Sequence, residues 1–376
     1  MILTETQQMI QETARDFARG QLAPGAAKRD EEARFPTEEV KALGELGLMG
    51  MIIPEEYGGA GADYISMALA IEEIAAADGA MSTIVSVQNS LVGAGLLKFG
   101  NDWQKKEFLT PLAQGKILGA FALSEPQAGS DAAALRCTAQ KQGDHYVLNG
   151  TKQFITSGKY ADIAIVFAVT DKAAGKKGIS AFILTTNTPG YSVPKVEDKM
   201  GQTSSDTAQL LFTDMKIPAT HLLGKEGDGY KIALSNLEGG RIGIASQCIG
   251  MARAALECAL PYSKEREAFG KPIFGHQAVS FRLADMATEL EAARQLLHHA
   301  CALRDANLPC LKEACMAKLF ASEMAERVCS GAMQTLGGYG YLKDFPIERI
   351  CRDVRVAQIY EGTSDVQRII ISRALE

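Results

Sequence analysis

The run Tyr360-Glu361-Gly362-Thr363-Ser364-Asp365 sets one carboxylate against a glycine and two hydroxyls, directly after an amphipathic helical pattern. A lone acid beside a flexible, hydroxyl-lined turn suits proton abstraction from a weak carbon acid when an apolar pocket holds it. Alone, the same run also reads as a solvated helix end. Five other segments bear on the choice. Phe121-Ala122-Leu123-Ser124-Glu125-Pro126-Gln127-Ala128-Gly129-Ser130-Asp131 reads as a strand entering a turn of small and hydroxyl residues, where backbone amides can approach a planar ring, or as an ordinary strand exit. Phe154-Ile155-Thr156-Ser157-Gly158 places an aromatic and a hydroxyl on one strand face by the period of two. Glu238-Gly239-Gly240-Arg241 sets an arginine in a glycine-softened helix, or marks a surface ion pair. Arg266 to Pro272, followed by Gln277, offers a guanidinium fork suited to phosphate, or a charged helix end. Gln334-Thr335-Leu336-Gly337-Gly338 is bare backbone that can admit a diphosphate, or a glycine helix stop.

The elements that must position these residues fall in three sections. Residues 1–118 read as helical, with a start at Phe35-Pro36-Thr37 capped by Thr37 and a long apolar helix over Ile65 to Ala77. In residues 119–225 the period shortens, and strands are expected over Ile163 to Val169 and Ile179 to Leu184, with a hairpin turn at Asn149-Gly150. Residues 226–376 return to the helical period, with a stripe through Leu283, Met286, Ala287, Leu290, Ala293 and Leu297 and a helix ending at Gly337-Gly338. The fold class is therefore α+β: an N-terminal helical domain, a middle antiparallel β-barrel or sandwich, and a C-terminal helical bundle.

Composition narrows the function. The 376 residues, 47% hydrophobic and 22% charged, supply more than one ordinary core. A net charge of −6 argues against nucleic acid, since nothing would neutralise its phosphates. No apolar run is read as long enough to span a bilayer, and no targeting segment is visible, so a cytoplasmic, bacterial-type protein is expected; a processed mitochondrial form is also consistent. The eight cysteines form no Cys-x-x-Cys pair and read as reduced, buried thiols, and no zinc or di-iron spacing occurs, so no metal is expected. Gly59-x-Gly61 lacks the third glycine of a dinucleotide loop, because position 64 is tyrosine.

Taken in order, these motifs resemble the acyl-CoA dehydrogenase family, its short-chain (butyryl-CoA) members most closely. Leu48-Met49-Gly50-Met51-Ile52-Ile53-Pro54-Glu55-Glu56-Tyr57-Gly58-Gly59 extends the resemblance into the first section. The resemblance implies FAD, lined by Phe121, Leu123, Ser124, Gly129, Ser130, Phe154, Ile155 and Thr156. It implies that Arg266, Phe269, Gln277, Gln334, Leu336, Gly337 and Gly338 meet the FAD of a neighbouring subunit, in a homotetramer built as a dimer of dimers. Thr363 and Asp365 fall near the nucleotide, while Ser130, Glu238, Arg241, Tyr360 and Gly362 fall at the acyl-CoA. Glu361 is implied as the base that starts α,β-dehydrogenation of a short-chain acyl-CoA to its trans-2-enoyl form, with electrons passed to electron-transferring flavoprotein. Some relatives place the base immediately before the arginine matching Arg241; here that position is Gly240, which cannot take a proton.

Phe154 stands where tryptophan is usual, and Thr203 where arginine is common. The same fold also hosts short branched-chain dehydrogenases (isobutyryl- or 2-methylbutyryl-CoA) and oxygen-using oxidases or flavin monooxygenases. The helix over Ser86 to Leu97 is expected to floor the acyl pocket.

Overall fold

A computed structural model describes residues 2–376. Helices α1 (Glu5–Phe17), α2 (Ala23–Glu31), α3 (Thr37–Glu45) and α4 (Tyr64–Ala77) lead into a continuous helix α5 (Gly79–Phe99) that takes a π form over Val87–Gly93. Thr37 is the first residue of α3 rather than its cap, a place Pro36 takes. Asp63 caps α4 by accepting from the Ser66 amide at 2.7 Å. Asp78 separates α4 from α5, accepting from the Met81 amide at 3.1 Å and pairing with buried Arg29 at 2.8 Å. Helix α5 corrects one expectation: by length and composition it could cross a membrane. It is instead a core helix, buried for most of its length, and its apolarity covers it on several sides at once.

With β5 (Ile179–Thr185), β6 (Tyr191–Val196), β7 (Thr207–Pro218) and β8 (Leu222–Leu223), the middle section is one eight-stranded sheet, ordered β6-β7-β3-β2-β4-β5-β8, with β1 (Gly119–Ala122) added against β4 (Ile163–Val169). Most pairings are antiparallel, while β4 pairs in parallel with both β1 and β2 (Thr138–Gln142). The expected hairpin turn at Asn149-Gly150 is absent. Strand β3 (His145–Thr156) runs straight through it, and the reversal between β2 and β3 falls at Gly143. Gly150 marks a register shift instead; a Cβ there would come 2.7 Å from the Cys137 backbone. The missing side chain admits a neighbouring strand, a use of glycine that mimics a turn signal in sequence.

The last section contains α6 (Gly229–Glu265), α7 (Gln277–Asp305), α8 (Leu311–Leu336), α9 (Ile347–Val354) and α10 (Ser364–Arg373). Leu283, Met286, Leu290, Ala293 and Leu297 of α7 are buried, whereas Ala287 is exposed. Helix α8 ends on Gly337 at φ 61°, the left-handed stop that glycine permits. One apolar core joins the N-terminal helices to α6–α9. Buried Glu72 and Glu73 of α4 are held across that core by Arg253 of α6, Arg294 of α7 and Arg15 of α1, at 2.6 to 3.1 Å. All eight cysteines are free thiols, six of them buried.

Candidate active site

Glu361 sits in the turn between α9 and α10, with φ at 51°, followed by Gly362 at 95°. Two consecutive left-handed residues reverse the chain sharply, and only the second is glycine. The turn aims the Glu361 side chain at α6. A Cβ at Gly240 would lie 1.9 Å from Glu361 Oε2 and 3.1 Å from Leu91 of α5, so the missing side chain is the space the carboxylate occupies. Oε2 has no hydrogen-bond partner. Burial pushes the carboxyl up to about 7, against the opposing pull of the Lys318 and Arg241 cations. Arg241 is itself 3% exposed, with Nε and Nη1 unpartnered. A free carboxylate and a free guanidinium thus share one buried space.

Of the supports of this turn, only Tyr360 stands among the residues expected at the site. Lys318 of α8 donates to the carbonyls of Tyr360 and Gly362 at 3.0 and 2.6 Å. Tyr360 donates its hydroxyl to Gln247 at 2.5 Å; Gln247 also accepts from Thr83 at 3.2 Å, which bonds Gln202 at 2.6 Å. The Gln202 amide reaches Asp353, whose buried carboxyl is pushed up to about 7. One polar chain therefore ties α5, the middle section and α9 to the residue beside Glu361. Such buried polar chains carry no local sequence signal, because each link joins distant segments.

Two of the flavin-type segments meet directly. The Gln153 amide donates to the Ser124 carbonyl at 2.9 Å, and Lys152 donates to the Leu123 carbonyl at 3.1 Å and to Glu125 at 2.8 Å. The Lys152–Glu125 pair is wholly buried, and Glu125 also accepts from the Arg136 and Cys137 amides at 2.7 and 3.1 Å. Phe154, at φ 61° on a strand irregularity, is 65% exposed, while its neighbours Gln153 and Ile155 are buried. Phe121 and Ile155 are buried in the core. Gly129 and Ser130 are exposed, and nothing lies within 4 Å of a Cβ placed at Gly129. Helix α5 bridges this sheet to Glu361, with Val92 against Gly119 and Leu91 beside Gly240.

A third group lies at the shared end of α6, α7 and α8. Arg266, Phe269, Gln277, Gln334, Gly337 and Gly338 are all exposed, Phe269 by 96%, and Cβ atoms at the two glycines would meet nothing within 4 Å. Leu336 alone of this group turns inward. Glu238 is engaged elsewhere, accepting from Arg304 and from the Cys310 thiol. Thr363 caps α10 by accepting from the Val366 amide at 3.3 Å, and Asp365 is exposed beside Arg368. Thr203 donates at 2.6 Å to Asp30, which Arg352 also pairs at 2.7 Å. Arg352 thereby brings a guanidinium to the same carboxylate that Thr203 meets.

Family models match nearly the whole chain: acyl-CoA dehydrogenase N-terminal domain over residues 4–116, middle domain over 120–215 and C-terminal domain over 227–376. The chain belongs to the acyl-CoA dehydrogenase family. It is an enzyme of that group, an oxidoreductase acting on CH–CH groups. The short-chain specific acyl-CoA dehydrogenase, mitochondrial, of Rattus norvegicus is 50% identical over 370 residues, 98% of this chain and 90% of that protein. The structure of butyryl-CoA dehydrogenase from Megasphaera elsdenii superposes with TM-score 0.98 at 45% identity, over 100% of this chain and 99% of that one. A solved chain described as "Electron transferring flavoprotein of Acidaminococcus fermentans: Towards a mechanism of flavin-based electron bifurcation" gives TM-score 0.99 at 49% identity, over 100% and 99% of the two chains.

Proposed function

We propose that this chain is a short-chain acyl-CoA dehydrogenase, with FAD as its cofactor and Glu361 as its base, converting a straight four-carbon acyl-CoA to the trans-2-enoyl thioester. The observation that carries this reading is the unpartnered Glu361 carboxylate in the space left by Gly240, with its pKa near neutrality. An ordinary carboxyl near 4.5 is a poor base for a carbon acid; one raised to about 7 is stronger yet still substantially ionised at neutral pH.

The residues present fit a large, flat, anionic cofactor. Exposed Phe154 offers an apolar cover, the joined turns at Leu123–Ser124 and Gln153–Phe154 offer main-chain and hydroxyl groups, and Gly129 keeps its approach open. Ser124, Ser130 and Thr156 would hold the ring, and Arg266, Gln277 and Gln334 to Gly338 would hold the phosphate end from a neighbouring subunit. FAD, when bound, supplies the acceptor for the hydride equivalent that leaves the β-carbon. Glu361 takes the α-proton, and its own amide is the donor toward the thioester oxygen, where negative charge develops. Arg241 holds the buried carboxylate's charge in check from α6. Leu91 of α5 lines the same space as the carboxylate.

A short acyl chain is supported by the close seam of α5 and α6, where a Cβ at Gly243 would lie 2.1 Å from Ser86 Oγ. An oligomer, a dimer of dimers, is supported by the fully displayed Phe269 and the open glycines 337 and 338. Electron-transferring flavoprotein as acceptor rests on the likeness to the Acidaminococcus chain, and a cytoplasmic setting on the bacterial solved relatives.

Anaerobic butyryl-CoA is expected to bleach the purified flavoprotein, faster than isobutyryl-, 2-methylbutyryl- or octanoyl-CoA does. Glu361→Gln is expected to slow bleaching by about 10³-fold, within the usual range for losing a general base. A Glu361→Gln enzyme of full activity sinks the assignment.

A further inference from the structure

We propose that Lys318 is the positioning residue of the base: its ammonium clamps the carbonyls on either side of Glu361 and so fixes the left-handed turn that presents the carboxylate to Gly240. The inference rests on Glu361 being the base, as argued above, and adds a second residue to the same site.

Lys318 is 0% exposed in the middle of α8, a place where lysine is rare without a carboxylate partner. Among the described residues it forms no ion pair; its hydrogen bonds run to the Tyr360 and Gly362 carbonyls. These two acceptors bracket Glu361, the one non-glycine residue of the turn in left-handed geometry. A left-handed glutamate is a sparsely populated conformation that persists only where its surroundings impose it. Gln367 of α10 shares the task, donating to the Gly362 carbonyl at 2.8 Å. Lysine suits this role better than arginine, because its compact ammonium spreads three donors and can meet two converging carbonyls.

The same ammonium has an electrostatic consequence. The titratable and charged groups facing it are Cys248 and Arg241 of α6, Cys315 of its own helix and Glu361 of the turn. Cys248 and Cys315 are buried thiols with raised pKa, hence neutral. The cation therefore acts mainly on Glu361, favouring its ionised form. Burial in turn lowers the Lys318 pKa to about 8. The two groups meet in the neutral range, where a base must be charged to work.

The test compares Lys318→Met, which keeps length and loses donors and charge, with the parent enzyme, using FAD-loaded and FAD-free protein. In FAD-free protein, the amides of residues 360–364 are expected to exchange hydrogen at least 10-fold faster. In the loaded enzyme, bleaching by butyryl-CoA is expected to slow about 100-fold, as a 1 Å misplacement does. The acid limb of the rate is expected to move up by about one pH unit, because the cation that favours the ionised base is gone. Lys318→Arg is expected to return the acid limb while leaving the turn's exchange raised. A folded Lys318→Met protein whose turn exchange and acid limb match the parent overturns the proposal. If Lys318→Met does not fold, Lys318→Gln is measured by the same criteria. Loss of bleaching in the parent enzyme itself would refute the dehydrogenase reading and leave the exchange comparison standing.

Discussion

Gly240→Ala is the sharpest probe of the site, because one added methyl contacts the proposed base directly. The new Cβ would sit 1.9 Å from Glu361 Oε2 and 3.0 Å from its Cδ, where ordinary contact begins at 3.4 Å. Gly240 is buried in the middle of the 37-residue α6, so the helix has little room to retreat. The carboxylate must move by about 1.5 Å, the difference between those contacts. A displacement of that size at a reacting group costs about 10²-fold in rate, or roughly 2.7 kcal/mol of barrier. Stability should change far less. Alanine gains about 0.5–1 kcal/mol over glycine in a helix, which offsets part of an overpacking cost of about 1–3 kcal/mol. Stopped-flow bleaching under anaerobic butyryl-CoA, with a thermal melt alongside, measures both. Gly239→Ala is the control: it adds the same methyl one residue earlier on the same helix, where its Cβ would meet nothing closer than 3.7 Å. A Gly240→Ala enzyme that bleaches at the parent rate, or a control that loses as much, refutes the placement of Glu361 against Gly240.

Three further outcomes follow from the buried charges. The bleaching rate should rise with pH through about 7, where Glu361 ionises. Because burial raises the folded pKa from 4.5 to about 7, the folded state binds more protons than the unfolded state between those values, and Glu361 subtracts stability as pH rises through that window. Glu361→Gln should therefore melt higher than the parent at pH 8.5, with the gap narrowing toward pH 4.5; a gap independent of pH would contradict it. Lys152→Met should cost about 3–5 kcal/mol in denaturant unfolding, since it leaves Glu125 charged, buried and unpaired, and should release flavin in gel filtration. Unchanged stability would remove this pair as the brace of the Leu123–Phe154 region.

The sequence alone was enough to divide the chain into helices, strands and helices, because hydrophobic period is a local property. It also led to Glu361 as the proposed base among several acids, because six ordered motifs constrain one another, and set aside position 240, because glycine carries no base. It was misleading where one residue type serves two ends. Asn149-Gly150 looks like a turn and is a close strand contact, and α5 looks too short to span a bilayer and is a 21-residue core helix. Only the tertiary structure could bring Lys318 under the Glu361 turn, pair Glu238 with Arg304, or link Tyr360 through Gln247 and Thr83 to Gln202. Those contacts join residues scores of positions apart, and their strength comes from the burial that packing creates. The pKa of Glu361 belongs to the same class: glutamate is the same residue everywhere, and burial of its side chain beside Gly240 pushes it up to about 7.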